Sequence, residues 1–451
     1  MTSQAVATAP YSIKRTFSNN HSATYLIREH DQYGEYPNIW AKVYLSPGSA
    51  QASSIILIDT GTGLEEIDPH GSREDTLEDT MTPASPSRWN IATFLQQTLD
   101  PDQNASYILI TSHCHYDHIM GIQSLLKINS NVTILSSSHN KSWLTPYSNL
   151  QKHSLCQRMK LHAPNYDARW VEDASTISYR VGNELVQTSL KAIHTPGHTP
   201  DSLSLYDSES HTLFVGDMLY EQESDETRSG SGQWGQEPPM PVMFNEDSNI
   251  VDWNASMHRL LDFVRRENQK LGSSSDPIQP GYRQTGDGTA HQFTEDEVED
   301  DWSIVSTLSP RRRVVLCAAH VTVAADAEIA LLDMLAFMFR IQLDQVPKRQ
   351  KLEHGRNSIW LWDDQLDTEV SQTSLHKSSV YRYSVQAPWS IIHPGKAVNE
   401  PAPALDRNGQ SADLQAMLKR RTARSTASLK SSVVAQLSEN TAIGTFSRHE
   451  R

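Results

Sequence analysis

The sequence predicts a layered α/β domain, and three observations carry the prediction. Residues 54–58 (SIILI), 107–110 (YILI) and 132–135 are short runs of apolar residues, with the length and composition of buried strands. Stretches with apolar residues at helical spacing separate them, so strand and helix alternate. Several strands run directly into aspartate or histidine, and the carboxyl ends of strands are where α/β layers form their sites.

Taken in order, residues 1–50 are polar with scattered aromatics, and residues 39–45 (IWAKVYL) read as a strand. The strand at 54–58 ends in Asp59-Thr60-Gly61, a carboxylate followed by a glycine turn. Residues 68–87 are loop-like, with Pro83 and Pro86, and Ser87 is the expected cap of a helix that buries Trp89, Ile91, Phe94, Leu95 and Leu99. After the strand at 107–110 come a histidine-rich loop and a short helix at 119–126. Residues 132–135 are a third strand. Residues 137–173, with Trp143, Tyr147, Tyr166 and Trp170, lose the pattern and either cover a pocket or form a surface excursion.

Strands return at 185–193, 202–206 (SLSLY) and 211–215 (HTLFV). Between the first two lies His194-Thr-Pro-Gly-His198-Thr-Pro-Asp201, and Gly216-Asp217 follows the third. Residues 221–245 form a polar loop rich in Gly, Ser and Pro with Trp234, the expected lid. Residues 251–270 have a helical period (Trp253, Met257, Leu260, Leu261, Phe263, Val264). The acidic, glycine-rich residues 272–301 are expected to be a flexible insertion. Arg311, Arg312 and Arg313 read as the solvated entrance to a strand at 314–319 that ends in His320; contact with a substrate carboxylate is the alternative. Residues 324–343 are a long apolar helix interrupted by charges, and strand-like pieces within 346–394 (SIWLW, YRYSV) are expected to complete the sheet. One catalytic domain over 1–394 follows. Residues 395–451, with Lys419, Arg420, Arg421 and Arg424 among serines and threonines, read as a disordered tail.

Composition narrows the function. In 451 residues, 39 basic against 54 acidic side chains give a net charge of −15, which opposes broad attraction to nucleic acid or an anionic membrane. Three cysteines, Cys114, Cys156 and Cys317, are not a disulfide framework, so a reducing, cytoplasmic setting is expected. There is neither the apolar core of about 7–15 residues of a signal peptide nor a run of about 18 apolar residues. The expected partner is a small-molecule substrate, with no nucleic acid and no membrane; the oligomeric state is not encoded in any recognisable way.

The chemistry concentrates in residues 111–121 (TSHCHYDHIMG), where His113, His115, Asp117 and His118 fall within six positions. In an extended segment residues i and i+2 point the same way, so His113 and His115 can converge on one metal ion. A turn after His115 can present Asp117 and His118 to a second. Alternation points Cys114 away from both. Other strand ends supply Asp59, His198, Asp217 and His320.

This ordered set resembles the metallo-β-lactamase superfamily, whose hallmark is H-x-H-x-D-H followed at a distance by single His, Asp and His residues. The resemblance covers residues 54–320 and implies an αββα sandwich, two sheets face to face with helices outside. It implies that His113, His115 and His198 hold a first metal, that Asp117, His118 and His320 hold a second, and that Asp217 bridges them. Asp59 matches the family's first motif, as a group that orients the loop rather than a ligand. Nitrogen and carboxylate donors without thiolate suit zinc, two ions per chain, and are compatible with iron or manganese.

Such a pair of ions supplies a hydroxide at neutral pH that attacks a carbonyl, and Asp117 can orient it. Tyr220, three residues after Asp217, is similar in its placement to a tyrosine of the lactonase branch and is read as a catalytic hydrogen-bond donor. The segment HTPGHT is shared with glyoxalase II-type thioesterases. Asp201, where glycine is commoner, and the AAH context of His320 depart from the usual pattern. The long excursion, insertion and extension look similar to filamentous fungal members that act on lactams or lactones in detoxification and secondary metabolism. The expected function is therefore a dinuclear zinc hydrolase opening a lactam or lactone ring. A thioesterase is the enzymatic alternative, ahead of a one-iron redox enzyme or a nuclease, and a metal-binding regulatory module is the non-enzymatic one.

Overall fold

The computed structural model describes residues 10–46, 51–63, 89–128, 132–181, 184–221, 240–273, 313–348, 350–354, 357–366 and 380–394. The expected loop at 68–87 with its Ser87 cap, the central lid, nearly all of the insertion, Arg311, Arg312 and the tail lie outside the described residues.

Seven strands form the first sheet in chain order: β1 (Tyr11–Ser18), β2 (Ser22–Glu29), β3 (Asn38–Leu45), β4 (Ala52–Ile58), β5 (Ser106–Ile110), β6 (Thr133–Ser137) and β7 (Arg169–Val171). The first four pair antiparallel and the last four parallel. The sequence reading located β3 to β6 but not β1 and β2, because β1 buries only Tyr11 and presents no apolar run. The second sheet contains β8 (Thr176–Val181), β9 (Glu184–His194), β10 (Leu203–Asp207), β11 (Thr212–Phe214), β13 (Val315–Cys317) and β14 (Ala325–Asp326), in the order β14-β13-β11-β10-β9-β8.

Alternation along the strands builds the layers. Ile56 and Ile58 of β4, with Ile108 and Ile110 of β5, meet Leu190, Leu203, Leu205 and Phe214 of the second sheet in a core between the sheets. Ile55, Leu57 and Leu109 face the other way, onto α1 (Ile91–Thr98), α2 (Tyr116–Ile119) and α3 (Ile122–Ile128). Each fully buried aliphatic side chain contributes roughly 1.5–3 kcal/mol. Outside the second sheet lie α6 (Ile250–Ser273) and α7 (Ala327–Gln342), whose Trp253, Leu260, Met334 and Phe337 are fully buried. The arrangement is the expected αββα sandwich. Among the described residues no helix is long and apolar enough to cross a membrane.

Three local expectations are corrected. Asn90, not Ser87, caps α1: its side chain accepts from the Thr93 amide while Thr93 Oγ1 accepts from the Asn90 amide. The helix expected at 119–126 is two, α2 and α3, broken at Gly121, where the chain passes so close to the Thr60 carbonyl that a Cβ would collide with it. The pieces within 346–394 do not complete either sheet of the sandwich. They form a third sheet, in which β12 (Val242–Met243) pairs with β17 (Val380–Pro388), then β16 (Asn357–Leu366) and β15 (Gln350–His354). Trp362, Tyr383, Val385 and Ala387 are buried in one core with α7, so this sheet has its own apolar face. The excursion at 137–173 contains α4 (Lys141–Leu144) and α5 (Tyr147–His153), whose Leu144 and Leu150 pack into the first sheet's outer core; α8 (Trp389–Ile392) closes the described chain.

Candidate metal centre

The strands of the two sheets end at one rim, and the turns leaving them carry the candidate ligands. After β5, the Thr111 amide donates to the Leu135 carbonyl (3.0 Å), and the chain stays extended to His115, which precedes α2 at φ −62°, ψ 152°. His113 and His115 therefore share a side before the helix begins. Asp117 and His118 lie in its first turn.

The donor atoms converge in two groups, within each of which all lie inside 4.8 Å of one another. In the first, His115 Nδ1 is 2.9 Å from His113 Nε2 and 3.1 Å from His198 Nε2, while Asp217 Oδ2 is 3.7 Å from both His113 and His198. In the second, Asp117 Oδ2 is 3.4 Å from His118 Nε2 and 3.2 Å from His320 Nε2. Asp217 closes that group too, with Oδ2 at 3.3 Å from His118 and Oδ1 at 3.8 Å from His320. The structure thus brings together all seven residues singled out as ligands, with Asp217 common to both groups.

These spacings fit a small divalent ion. Four donors each about 2.0–2.1 Å from zinc sit at corners about 3.3 Å apart, within the range seen here. The polar accounting agrees. His118 Nε2 lies near two carboxylates but hydrogen-bonds neither, and Asp217 Oδ1 has no hydrogen-bond partner, although both are buried. Buried polar atoms aimed at a common point rather than at each other are what a cation would satisfy.

Groups behind the donors fix the rings. Asp59 Oδ2 accepts from His118 Nδ1 (2.9 Å) and from Ser112 Oγ (2.7 Å), and Asp59 Oδ1 accepts from the Ser112 amide (2.7 Å). Ser112 Oγ in turn lies 3.1 Å from His113 Nδ1. Asp59 sits at φ +64°, a left-handed value that aspartate tolerates. His320 Nδ1 donates to the Glu35 carbonyl at 2.8 Å. With Nδ1 held by these acceptors, His118 and His320 direct their Nε2 atoms at the site. Gly197, at φ +146°, packs so tightly on the Trp253 backbone that a Cβ could not fit, and this sets the turn that delivers His198.

The electrostatics divide the two groups. Burial, reinforced by neighbouring imidazoles, holds His113 well below the usual range and His115 at about 3, so the first group offers neutral nitrogens. In the second, burial would raise the Asp117 and Asp217 carboxyls, but His118 and His320 outweigh it and hold both well below the carboxylate range. Burial likewise opposes charge on the two histidines. The aspartates overcome it, holding His118 well up and His320 at about 9.

Tyr220 is buried with its ring 5.4 Å from that of His320, edge-on. Burial and then the charge of Asp217 push its phenol up, so it stays protonated and can donate. Cys114 is buried among the residues outside the first sheet, as alternation expected, beside Asp201, whose carboxyl burial pushes up to about 6. All three cysteines are free and buried. Arg313 pairs with Asp326 (2.6 Å) and Glu328 (3.1 Å), as a strand entrance should. Glu35, Ser112 and Asn245, whose side-chain amide lies 3.4 Å from His115 Nε2, belong to the site but were missed by sequence reasoning.

A four-layered αββα sandwich with two histidine–aspartate groups at its rim defines a metal-binding fold. A sequence model described as the metallo-beta-lactamase superfamily matches residues 52–271, just under half of the chain, and over that stretch the chain is similar to that superfamily. It is 28% identical over 212 residues to a putative transcription factor from Aspergillus versicolor, covering 46% of this chain and 56% of that protein. It is 30% identical over 122 residues to a hydroxyacylglutathione hydrolase from Prochlorococcus marinus, covering 26% and 39% respectively. An atrochrysone carboxyl ACP thioesterase from Pseudocercospora fijiensis is 21% identical over 170 residues, 38% of each chain. Each of these matches spans less than two thirds of the relative's own length. Among solved structures, a metallo-beta-lactamase family protein from Thermus thermophilus aligns over 71% of this chain and 80% of its own, at 14% identity and a TM-score of 0.40.

Proposed function

We propose that the chain is a hydrolase that uses two zinc ions to cleave an acyl bond of a small molecule, with a lactone or lactam ring as the first substrate class. The observation that carries this reading is the pair of four-donor groups sharing Asp217. His113, His115 and His198 would hold one ion, Asp117, His118 and His320 the other, with Asp217 between. When bound, such ions supply Lewis acidity toward a carbonyl and a water nucleophile at neutral pH.

The chain's own residues do the rest. Asp117, kept ionised by His118 and His320, orients the attacking water and accepts its hydrogen bond. Tyr220, kept protonated, donates to the oxygen that gains charge as the ring opens. Its position three residues after Asp217, similar to that of a tyrosine in the lactonase branch, supports a lactone or lactam. A thioester is the second reading, favoured by relatives named as a hydroxyacylglutathione hydrolase and an acyl-carrier thioesterase. The relative named as a putative transcription factor raises a regulatory role, which the chain's net charge of −15 does not favour for direct DNA contact.

The test is a matched panel of lactones, lactams and thioesters, assayed before and after chelation. Chelator-sensitive ring opening supports the proposal. Cleavage of thioesters alone selects the second reading, and inactivity on the whole panel by zinc-loaded protein argues against both.

A further inference from the structure

Helix α7 is apolar on two opposite faces. Leu331, Met334, Phe337 and Ile341 are fully buried in the core shared with α6 and the third sheet. Ile329, Leu332 and Phe339, with Leu343 at the C-cap, point the other way and are 39–60% exposed. Nine large hydrophobic side chains are exposed among the described residues, and four of them lie on this one face. Single exposed apolar residues are ordinary, whereas a contiguous stripe marks a contact surface. A side chain of this size presents roughly 200 Å² when fully exposed, so the four leave roughly 400 Å² of apolar surface in water, the size at which a patch is often functional.

The stripe has a regular spacing. Ile329, Leu332, Ala336, Phe339 and Leu343 recur at intervals of three, four, three and four residues, the seam along which two helices pack. It is nearly symmetric about Ala336, with two larger apolar residues on either side. Ala336 is itself exposed, and a small side chain at the centre lets a second helix approach closely. A patch of that form complements itself. In a two-fold pair with the helices antiparallel and crossing at Ala336, Ile329 and Leu332 of one copy meet Leu343 and Phe339 of the other, and the same operation makes the reverse contacts.

Charge fixes the direction. Asp333 and Arg340 each follow a seam residue and lie on one flank, while Glu328, Leu335 and Gln342 each precede one and lie on the other. Antiparallel pairing puts like flanks together, so Asp333 comes beside Arg340 of the second copy on both sides of the axis, and Glu328 beside Gln342. Parallel pairing puts unlike flanks together and sets Glu328 against Asp333, two carboxylates.

We propose that the exposed face of α7 is a self-association surface whose partner is a second copy of this chain, seated antiparallel across Ala336. The apolar seam supplies the affinity and the flanking charges select the orientation. With about half of the ~800 Å² per partner of a standard interface, the contact suits a reversible dimer rather than an obligate one. No donor of the two metal groups lies on α7, so pairing here asks for no change at the metal centre.

The test is sedimentation velocity of the full-length chain across the micromolar range, with the wild type and Phe339→Asp. The wild type passes from monomer to dimer with concentration. Phe339→Asp, which sets a carboxylate on the seam, weakens association by about 30-fold or more, the effect of losing an aromatic anchor. Phe339 is 60% exposed, so this variant keeps its fold, which circular dichroism checks. A second measurement reads the geometry. The three native cysteines are buried, so Ala336→Cys adds the one exposed thiol, and an added mild oxidant links two such chains through it. Val251→Cys, at an exposed position on α6 away from the seam, cross-links much more slowly. A wild type that stays monomeric throughout overturns the proposal and leaves the face to a different occupant, such as residues 395–451 of the same chain. A dimer that Phe339→Asp leaves intact, or an Ala336→Cys chain that cross-links no faster than Val251→Cys, overturns it too.

Discussion

Replacing Asp59 by asparagine tests the logic of the second group with almost no change of volume. Asp59 Oδ1 accepts from the Ser112 amide at 2.7 Å, and an asparagine oxygen can do the same. The amide nitrogen then replaces Oδ2, which faces Ser112 Oγ at 2.7 Å and His118 Nδ1 at 2.9 Å. The serine hydroxyl can rotate to accept. His118 cannot, because a metal on Nε2 leaves the ring's one proton on Nδ1, facing another donor. Losing the hydrogen bond behind a ligand in this way costs about 10–100-fold in affinity, or about 1.4–2.7 kcal/mol. Asp59→Ala is the poorer experiment, since it strands three buried donors at about 1–3 kcal/mol each and tests the fold as much as the site. Chelator competition with Asp59→Asn should show one ion weakened by that factor and the other, held by His113, His115 and His198, close to wild type. Unchanged affinity for both ions would refute the reasoning.

Three further outcomes follow from the same contacts. Lys42 and Asp207 form a 2.7 Å ion pair in which both side chains are almost fully buried, so Lys42→Met, which strands the carboxylate, should destabilise the fold by about 3–5 kcal/mol in urea titrations. The carboxyl of Asp201 is raised in the fold to about 6 by burial, so between about pH 4 and pH 6 the folded state binds more protons than the unfolded one and stability falls as pH rises, by about 3 kcal/mol in all. Metal-free Asp201→Asn should lack that fall and be more stable than the wild type at pH 8; an identical pH profile would contradict it. Because carboxylates hold protons on His118 and His320, zinc uptake at pH 7 should release about two protons per chain, measured by calorimetry in buffers of different ionisation enthalpy; uptake without proton release would contradict that assignment.

The parts of this protein that could be read from its sequence are those that local pattern encodes. The H-x-H-x-D-H run declares itself by spacing, and Asp59, His198, Asp217 and His320 declare themselves by following apolar strands. The apolar runs at the centres of β4 and β5, and the shorter Ile134-Leu135 pair of β6, needed no tertiary information, because strands buried on both faces carry consecutive apolar residues. What failed were features set by contacts distant in sequence. Glu35 contributes a backbone carbonyl, 285 residues from the His320 ring it orients, and a carbonyl leaves no mark on residue type. Asn245 looks like any polar loop residue until the third sheet places it beside His115. The strands at 350–388 carry the right composition, but composition does not say which sheet a strand joins, and here the core shared with α7 decided.

The central claim is that Asp217 makes two adjacent metal groups into one centre. Native mass spectrometry of the full-length chain, loaded with zinc and stripped of loosely bound ions, tests it most directly. The account predicts two zinc ions per wild-type chain and fewer for Asp217→Ala, with the fold retained by circular dichroism. A wild type that holds one ion or none, or an Asp217→Ala chain that still holds two as tightly, would contradict it.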